Sequence, residues 1–211
     1  MKRYSFLIIV LTGLSTFANA QLWPPNGMNG NGSKESPWEI TSASQLALLA
    51  KYLNDGNSLQ TTGKYYKLMN DLDLIEYSKD NGWEPIGYYE GYSYNFEYCF
   101  RGNFNGNNKK IKNLTINRPS EILIGLFGWI YNANIQNIEI ENCNITGSSC
   151  TGGLVSYSYE SVISNCSVSG NIIQFHYNNK HGVGVGGLVG ENKYSTITNC
   201  YSIINAYFIC V

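Results

Sequence analysis

The stretches that decide the fold are three versions of one short pattern. They read GLFGWIYNANIQNI at residues 125–138, GLVSYSYESVISNC at 153–166 and GLVGENKYSTITNC at 187–200. In every version 12 positions separate the Gly of the Gly-Leu pair from a later Asn. The copies begin 28 and 34 residues apart, so the extra length falls in the Asn-, Ser- and Gly-rich stretches between them. A core of fixed length with variable loops is typical of a repeat protein, whose units bury their apolar faces against one another.

Each repeat holds two or three short strand patterns and no helical periodicity. This excludes ankyrin, tetratricopeptide and leucine-rich designs, whose units contain helices. A parallel β-helix fits best, because each of its coils adds about 4.8 Å along the axis and places like residues over like. We therefore predict an all-β solenoid of this kind.

The repeated positions have predicted structural roles. The Asn of each copy is expected to form an internal amide ladder at a tight bend. The Gly of each Gly-Leu pair is expected where positive φ or close approach between coils is needed. The residues assigned to the repeat are Gly125, Leu126, Gly128, Asn137, Gly153, Leu154, Asn165, Cys166, Gly187, Leu188, Gly190, Asn199 and Cys200.

One amphipathic helix precedes the repeats, within residues 41–56. Ser42 and Gln45 form a capping-box pattern, and Gly56 stands where a left-handed C-terminal cap is wanted. One apolar stripe follows the i, i+3, i+4, i+7 spacing and consists of Leu46, Leu49, Ala50 and Leu53. We expect the helix Ser42–Leu53 to cap the N-terminal end of the β structure. Period-two alternation then predicts strands at 65–69, 72–74 and 111–116.

The sequence resembles proteins that carry the GLUG motif, named for a glycine-leucine-any-glycine core. Residues 125–128 and 187–190 match that core, whereas the middle copy has Ser156 in place of the final Gly. The lead-in is also typical of this family, with Pro-Trp-Glu-Ile at 37–40, Asn-Asp-Leu-Asp-Leu at 70–74 and Trp-Glu-Pro-Ile-Gly at 83–87. The resemblance covers roughly residues 37–205. It implies a right-handed β-helix in an exported bacterial surface or secreted protein, a module also found in adhesins and beside IgA-specific metallopeptidases. No His-Glu-x-x-His occurs here, so no peptidase residues carry over.

The chain of 211 residues divides into four predicted parts. Residues 1–20 read as a signal peptide, with Lys2 and Arg3, an apolar run and a cleavage site after Ala20. Residues 21–36 are expected to be a flexible leader, 37–124 the cap helix and first β coils, and 125–211 the repeats. The apolar end of the chain, which lacks a polar cap, suggests truncation at the C-terminus. The predicted location is therefore secreted or at the cell surface.

Composition narrows the classes of function. With 22 Gly, 17 Tyr, 27 Asn and only 5 Pro, the chain should fold into β structure with frequent turns. Removal of the signal peptide would leave 12 basic against 15 acidic side chains, a poor balance for binding nucleic acid. Beyond the signal peptide no apolar run of about 18 residues exists, so we expect no transmembrane span.

Four carboxylates are candidates for chemistry. Asp71 and Asp73 share one face of a predicted strand, and Glu139 and Glu141 are the other two acids. Paired carboxylates serve glycoside hydrolysis or bind calcium, but alternation with Leu72 and Leu74 favours a solvated strand face. An enzyme would need these acids to converge in one cleft.

Metal sites and nucleophiles have weaker support. The two histidines, His176 and His181, lie in an insertion and are not spaced for zinc, so we expect no metal and no cofactor. Cys166 and Cys200 occupy the same repeat position, and a buried thiol stack is favoured over a disulfide. No pairing is predicted for the other cysteines, Cys99, Cys143, Cys150 and Cys210.

The strongest hint of function is a strip of aromatic residues, Tyr92, Tyr94, Phe96, Tyr98 and Phe100. In an extended segment they share one face, where they would either stack on sugar rings and contact proteins or shield the first coil. We therefore predict a non-catalytic adhesion or interaction module that binds host or matrix glycans or proteins through Tyr92, Tyr94, Phe96 and Tyr98. The alternatives are a carbohydrate-active β-helix enzyme, of the polysaccharide lyase or glycosidase type, and a spacer within a larger adhesin.

Overall fold

The computed structural model describes residues 23–25, 27–88, 96–176 and 184–210, and gives the backbone alone for Phe96, His176 and Cys210. The predicted signal peptide lies outside these residues. The described chain is mostly β, with one α-helix, α1 (Ala43–Tyr52). Its strands are β1 (Trp38–Ile40), β2 (Tyr65–Leu68), β3 (Leu72–Asp73), β4 (Asn103–Lys112), β5 (Thr115–Asn117), β6 (Phe127–Tyr131), β7 (Asn134–Gly147), β8 (Thr151–Gly152), β9 (Val155–Tyr159), β10 (Val162–Ser164), β11 (Ser167–His176), β12 (Val185–Gly186), β13 (Val189–Lys193), β14 (Thr196–Thr198) and β15 (Tyr201–Cys210).

The strands form three parallel sheets. The largest runs β1-β2-β4-β7-β10-β14, with β3, β5, β11 and β15 also joined to it. A three-stranded sheet has the order β13-β9-β6, and a short sheet pairs β12 with β8. Within the described residues, each of these strands pairs in parallel with its counterpart from the segment before or after it.

The pairing places equivalent residues of successive segments next to one another. Phe127, Val155 and Val189 are paired in sequence across the three-stranded sheet. One row in the large sheet crosses six segments and contains Trp38, Tyr66, Phe104, Ile135, Ile163 and Ile197. The stacking thus begins long before the first Gly-Leu pair.

The core is a continuous apolar cluster inside the sheets. Leu126 and Leu154 are fully buried, and Leu188 is 9% exposed. Backbone hydrogen bonds link their segments, from Leu126 N to Gly153 O (3.3 Å) and from Leu154 N to Leu188 O (3.0 Å). Burial of such side chains is the main favourable contribution to folding.

Helix α1 packs its apolar side against the core. Its apolar stripe Leu46, Leu49, Ala50 and Leu53 is buried in the same cluster as Ile40 and Tyr66. Ser42 caps the helix by accepting from Gln45 N, as the sequence predicts. The Gln45 side chain, however, accepts from Thr41 N rather than from Ser42 N. Gly56, at φ 92°, adopts the left-handed conformation just beyond the helix.

Residues 27–36, expected to be a flexible leader, are hydrogen-bonded to the sheet. Asn29 O accepts from Glu39 N in β1, and Gly32 O accepts from Tyr65 N in β2. Met28 packs against the core cluster. The segment therefore runs along the first strands and is part of the fold.

Asparagine side chains form a ladder at one bend. Asn137 Nδ2 donates to Asn105 Oδ1 (3.0 Å), Asn165 Nδ2 to Asn137 Oδ1 (3.1 Å), and Asn199 Nδ2 to Asn165 Oδ1 (3.3 Å). Asn137, Asn165 and Asn199 have φ between 52° and 57°, the left-handed region that asparagine tolerates better than most residues. The ladder lies at the surface rather than inside, because the left-handed bend turns these side chains outward.

The glycines of the Gly-Leu pairs act by close approach and not by positive φ. A Cβ at Gly125 would lie 2.6 Å from Gly152 O, and one at Gly153 would lie 2.5 Å from Gly187 O. Neither residue has positive φ, so that part of the expectation is wrong. Gly190 faces Ser156 O (2.8 Å from a Cβ) in the same way. Ser156 fits between Gly128 and Gly190, where its hydroxyl donates to Cys150 O.

The strand predicted for residues 111–116 is divided. Residues up to Lys112 belong to β4, and β5 begins at Thr115. Between them Asn113, at φ 57°, bends the chain. Its amide joins a second ladder, accepting from Asn142 Nδ2 (2.8 Å) and donating to Asp73 Oδ1 (2.8 Å).

The stacked leucines should dominate stability. We expect Leu154→Ala to lower the free energy of unfolding by about 2–5 kcal/mol, because it leaves a cavity between two segments. Urea unfolding followed by circular dichroism measures the change. Leu59→Ala, at a side chain 65% exposed, is the matched control and should change it by less than about 0.5 kcal/mol. Equal effects at the two sites would contradict this packing.

The ladder predicts a separate effect at Asn165. We expect Asn165→Ala to lower the free energy of unfolding by about 1–3 kcal/mol. The change removes two amide hydrogen bonds, and at φ 52° alanine has no side-chain amide to offset the strain of the left-handed backbone. Asn165→Gly removes the same hydrogen bonds but relieves the backbone, so it should cost less. The same urea measurement compares the two variants. A glycine variant as unstable as the alanine variant would show that the left-handed bend contributes nothing.

Candidate functional site

The described residues include only part of the predicted aromatic strip. Tyr92 and Tyr94 lie outside the described residues, and Phe96–Tyr98 form a 3-10 helical turn. Tyr98 packs its ring 4.5 Å from that of Tyr88, centroid to centroid. Phe100 is fully buried in the core. The expected alternation is therefore wrong from Phe96 to Phe100, because a helical turn breaks the period of two.

A second aromatic cluster lies on the outer side of the three-stranded sheet. Trp129 in β6 and Tyr157 in β9 meet edge to face, with 5.7 Å between ring centroids. Cys99 and Leu123 cover them, so that Trp129 is 2% and Tyr157 8% exposed. This cluster is a small core that fixes the outer side of the sheet.

A row of tyrosines borders that cluster, with Tyr131 and Tyr159 half-buried against it and Tyr194 exposed. Tyr131 and Tyr159 pair across β6 and β9, with 5.8 Å between ring centroids. Tyr194, at the end of β13, continues the row 5.4 Å from Tyr159 and is 82% exposed. Sequence reasoning missed this row, although Tyr131 and Tyr159 both stand six residues after the Gly of their Gly-Leu pair.

Charged groups flank the tyrosine row. The Arg101 guanidinium lies 4.9 Å from the Tyr131 ring centroid, and Lys193 Nζ lies 5.3 Å from that of Tyr157. Lys193 also pairs with Glu191 (2.9 Å). The hydrogen bond to Glu191, with a further one to Tyr157, raises the pKa of Lys193 well above its usual value, so the ammonium stays charged.

Asp71 and Asp73 serve the backbone and the amide ladder. Asp71 Oδ1 accepts from Lys110 N (3.0 Å). Asp73 Oδ1 accepts from Asn113 Nδ2 (2.8 Å) and from Ile75 N (3.0 Å). The Asn113 amide, followed by the Ile75 N–H, holds the pKa of the Asp73 carboxyl below its usual value. These contacts give both carboxylates a structural role.

Glu139 and Glu141 bracket one ammonium group. Lys110 Nζ lies 3.2 Å from Glu139 Oε1 and 3.1 Å from Glu141 Oε2. The hydrogen bonds to Glu141 and Glu139 raise the pKa of Lys110. Lys110 is 38% and each glutamate 44% exposed, so the group stands on an open sheet surface and not in a cleft.

The described residues also contain a shallow cavity of about 190 Å³. It is lined in part by Glu84, Arg118 and Glu121. Arg118 pairs with Glu121 (3.0 Å), and Glu84 accepts from Asn54 Nδ2 (3.1 Å). None of the four candidate acids lines it.

The described His, Cys, Asp and Glu side chains include no group of three that would hold a metal ion. His176 ends β11 with its side chain undescribed, and His181 lies outside the described residues. The sequence-based prediction of no metal therefore stays a prediction.

Cys166 and Cys200 are stacked as thiols. The Cys200 sulfur lies 3.4 Å from Cys166 N, and each thiol donates to the carbonyl two residues earlier, at 3.1 Å. Cys143, Cys166 and Cys200 carry free thiols. Burial raises the pKa of the Cys166 thiol to about 12 and that of Cys143 to about 11. Such thiols are poor nucleophiles at neutral pH.

No helix in the described part of the chain is both long enough and apolar enough to cross a membrane.

Comparison with known proteins finds relatives among much longer chains. Halomucin of Haloquadratum walsbyi is 31% identical over 163 residues, which are 77% of this chain and 2% of halomucin. A protein of Evansella cellulosilytica described as a Gly-rich membrane protein is 34% identical over 144 residues, 66% of this chain and 15% of that protein. The chain thus spans a small part of both relatives.

A solved structure shares the fold. It is a protein of Bacteroides ovatus described as an immunoglobulin A1 protease, with a TM-score of 0.51 and 20% sequence identity. The similarity covers 82% of this chain and 58% of that one. At this identity it concerns the fold alone.

The family profile described as the GLUG motif matches residues 147–173 and 181–206. Each match begins ahead of a Gly-Leu pair and extends past the ladder asparagine into the following strand. Residues 125–138 have the same spacing, and their strands pair with those of the next copy. The chain is therefore a carrier of the GLUG motif, with two matched copies stacked in parallel register.

Proposed function

We propose that the chain is an exported repeat module, secreted or displayed at the cell surface, that binds glycans or proteins and does not catalyse a reaction. Residues 1–20 would direct export, with cleavage after Ala20. The names of two relatives, halomucin and a Gly-rich membrane protein, support a location at the cell surface.

The architecture proposed for the module is a right-handed parallel β-helix. The support is the parallel pairing of each segment with the next, in three sheets that enclose one core. Right-handed connection follows from the twist of the strands, which makes nearly all parallel crossovers right-handed. Helix α1 covers the first segment, as a capping element of such a stack would.

The observation that carries the binding role is the in-register stacking of the repeats. It sets equivalent side chains of successive segments in rows on the outer surface, as with the amide ladder and with Tyr131 and Tyr159. Tyr194, one position beyond the partner of Tyr159, extends the second row. Rows of rigid aromatic side chains that remain at least partly exposed provide contact area at low cost in conformational entropy. The aromatic residues near Tyr98 would add to this surface.

The enzyme alternative has one observation in its favour, the group formed by Glu139, Lys110 and Glu141. Two carboxylates beside an ammonium group resemble the acids of a carbohydrate-active site. Their mutual pairing on an open surface gives no place where a substrate would be enclosed.

The spacer alternative is supported by the small share of the long relatives that the chain spans.

Binding is tested on the mature chain, residues 21–211, with an array of glycans and matrix proteins. We expect specific binding, and we expect Tyr92→Ala, Tyr94→Ala and Tyr98→Ala together to weaken it by about tenfold, because they remove aromatic contact area. The control combines Tyr201→Ala with Tyr207→Ala, which are 62% and 56% exposed on β15.

Three results would contradict parts of this proposal. Full binding by the triple variant would exclude the predicted aromatic strip as the site. Absence of any ligand would favour the spacer role. Shortening of a bound polysaccharide, lost in Glu139→Gln, would favour the enzyme.

A further inference from the structure

We propose that Tyr131, Tyr159 and Tyr194 form a binding site for an extended, uncharged polysaccharide, with one sugar unit against the solvent-exposed part of each ring. The inference rests on the proposed binding function and names a site and a ligand class for it. The site differs from the strip predicted from the sequence, because it is built on the GLUG repeats themselves.

The row follows the direction in which the segments stack. Tyr131 and Tyr159 are direct partners in neighbouring strands, and Lys193 is the next partner along the sheet. Tyr194 follows Lys193, and at φ 52° its backbone bends at the end of β13. The rings are separated by 5.8 Å and 5.4 Å, so the row presents one aromatic ring per segment.

The first ring of the row is held from both sides. Arg101 lies over Tyr131 at 4.9 Å, and the Tyr159 ring contacts Tyr131 from the neighbouring segment. Tyr159 in turn touches Tyr194 edge to face, with an angle of 76° between the rings. A site whose rings are held in place loses little conformational entropy when a ligand binds.

The spacing favours a sugar chain over a peptide. Residues on one face of an extended peptide recur about every 6.7 Å, which exceeds both ring separations. The mismatch between peptide side chains and rings therefore increases from the second ring to the third. The ring separations are close to the length of one sugar unit in an extended polysaccharide. The rings are inclined by 43° and 76°, which suits successive sugars turned relative to one another better than one flat ligand.

The charges near the row favour an uncharged ligand. Arg101 and Lys193 contribute two positive groups, and Glu160 and Glu191 contribute two negative ones. Lys193 is already paired with Glu191. These four described groups carry no excess of either sign, so they provide no net attraction to a nucleic acid or another polyanion.

The test is isothermal titration calorimetry of the mature chain with oligosaccharides of glucose, xylose, mannose and N-acetylglucosamine, each as di-, tri- and hexasaccharide. For the sugar that binds, affinity should rise sharply from di- to trisaccharide and little beyond, because three rings are available. Tyr194→Ala should weaken binding of the hexasaccharide about three- to tenfold. Tyr194→Phe should retain most of the affinity, since it keeps the ring.

Tyr201→Ala is the matched control, because Tyr201 is also exposed (62%) but lies in β15, away from the row. The Tyr201→Ala variant should bind the hexasaccharide with the same affinity as the unchanged protein. Tyr194 is 82% exposed, so its replacement should leave the circular dichroism spectrum and urea midpoint unchanged.

Several results would overturn the inference. One is that the folded protein binds none of these oligosaccharides, which leaves the proposed function intact if the array shows a protein ligand. Another is that Tyr194→Ala binds as tightly as the unchanged protein while the Tyr92, Tyr94 and Tyr98 triple variant does not. A third is that Tyr194→Ala abolishes binding of a protein and of no sugar.

Discussion

Parallel pairing of short strands from successive segments is the constraint on which this structure depends. A single segment has too few apolar side chains to form a core, so it is stable only when its leucine and isoleucine residues lie against those of its neighbours. Leu126 and Leu154 lose all contact with solvent in this way. The pairing holds because the path from each Gly-Leu pair to the next bend has one fixed length, while insertions are confined to the connections between segments.

The bends are maintained by asparagine, and this choice has two consequences. A left-handed backbone at Asn137, Asn165 and Asn199 turns the chain at the same place in each segment. The amides, now directed outward, hydrogen-bond to one another across segments, so that each bend is linked to the next. Glycine would allow the same bend but would contribute no ladder. The glycines of the motif have a different role, because their lack of a Cβ lets the backbones of neighbouring segments approach closely.

The sequence predicts the repeat register, the helix stripe and the ladder residues, because these depend on spacing that is visible in one chain. It does not reveal Asn105 as the first ladder residue, since no Gly-Leu pair precedes it. The bend at Asn113 is hidden in an apparently continuous strand pattern. The strip near Tyr98 looked extended because alternation cannot distinguish a strand from a helical turn of three residues. The sequence does not reveal the tyrosine row, because the repeat position of Tyr159 is occupied in the next copy by Lys193 and Tyr194 lies one residue later.

In the described residues, in-register stacking places side chains in rows along the sheets, and none of the four candidate acids lines the one cavity described above. Catalysis requires groups brought together inside a concave, water-poor site, whereas the two carboxylates of β7 pair in the open with Lys110 of the neighbouring strand β4. A row instead repeats one contact at each segment. Contacts repeated along a single ligand chain reinforce one another, because after the first has formed the next is intramolecular. Under the proposed binding role, the ligand that gains most from such rows is an extended one whose own repeat matches the spacing of the segments.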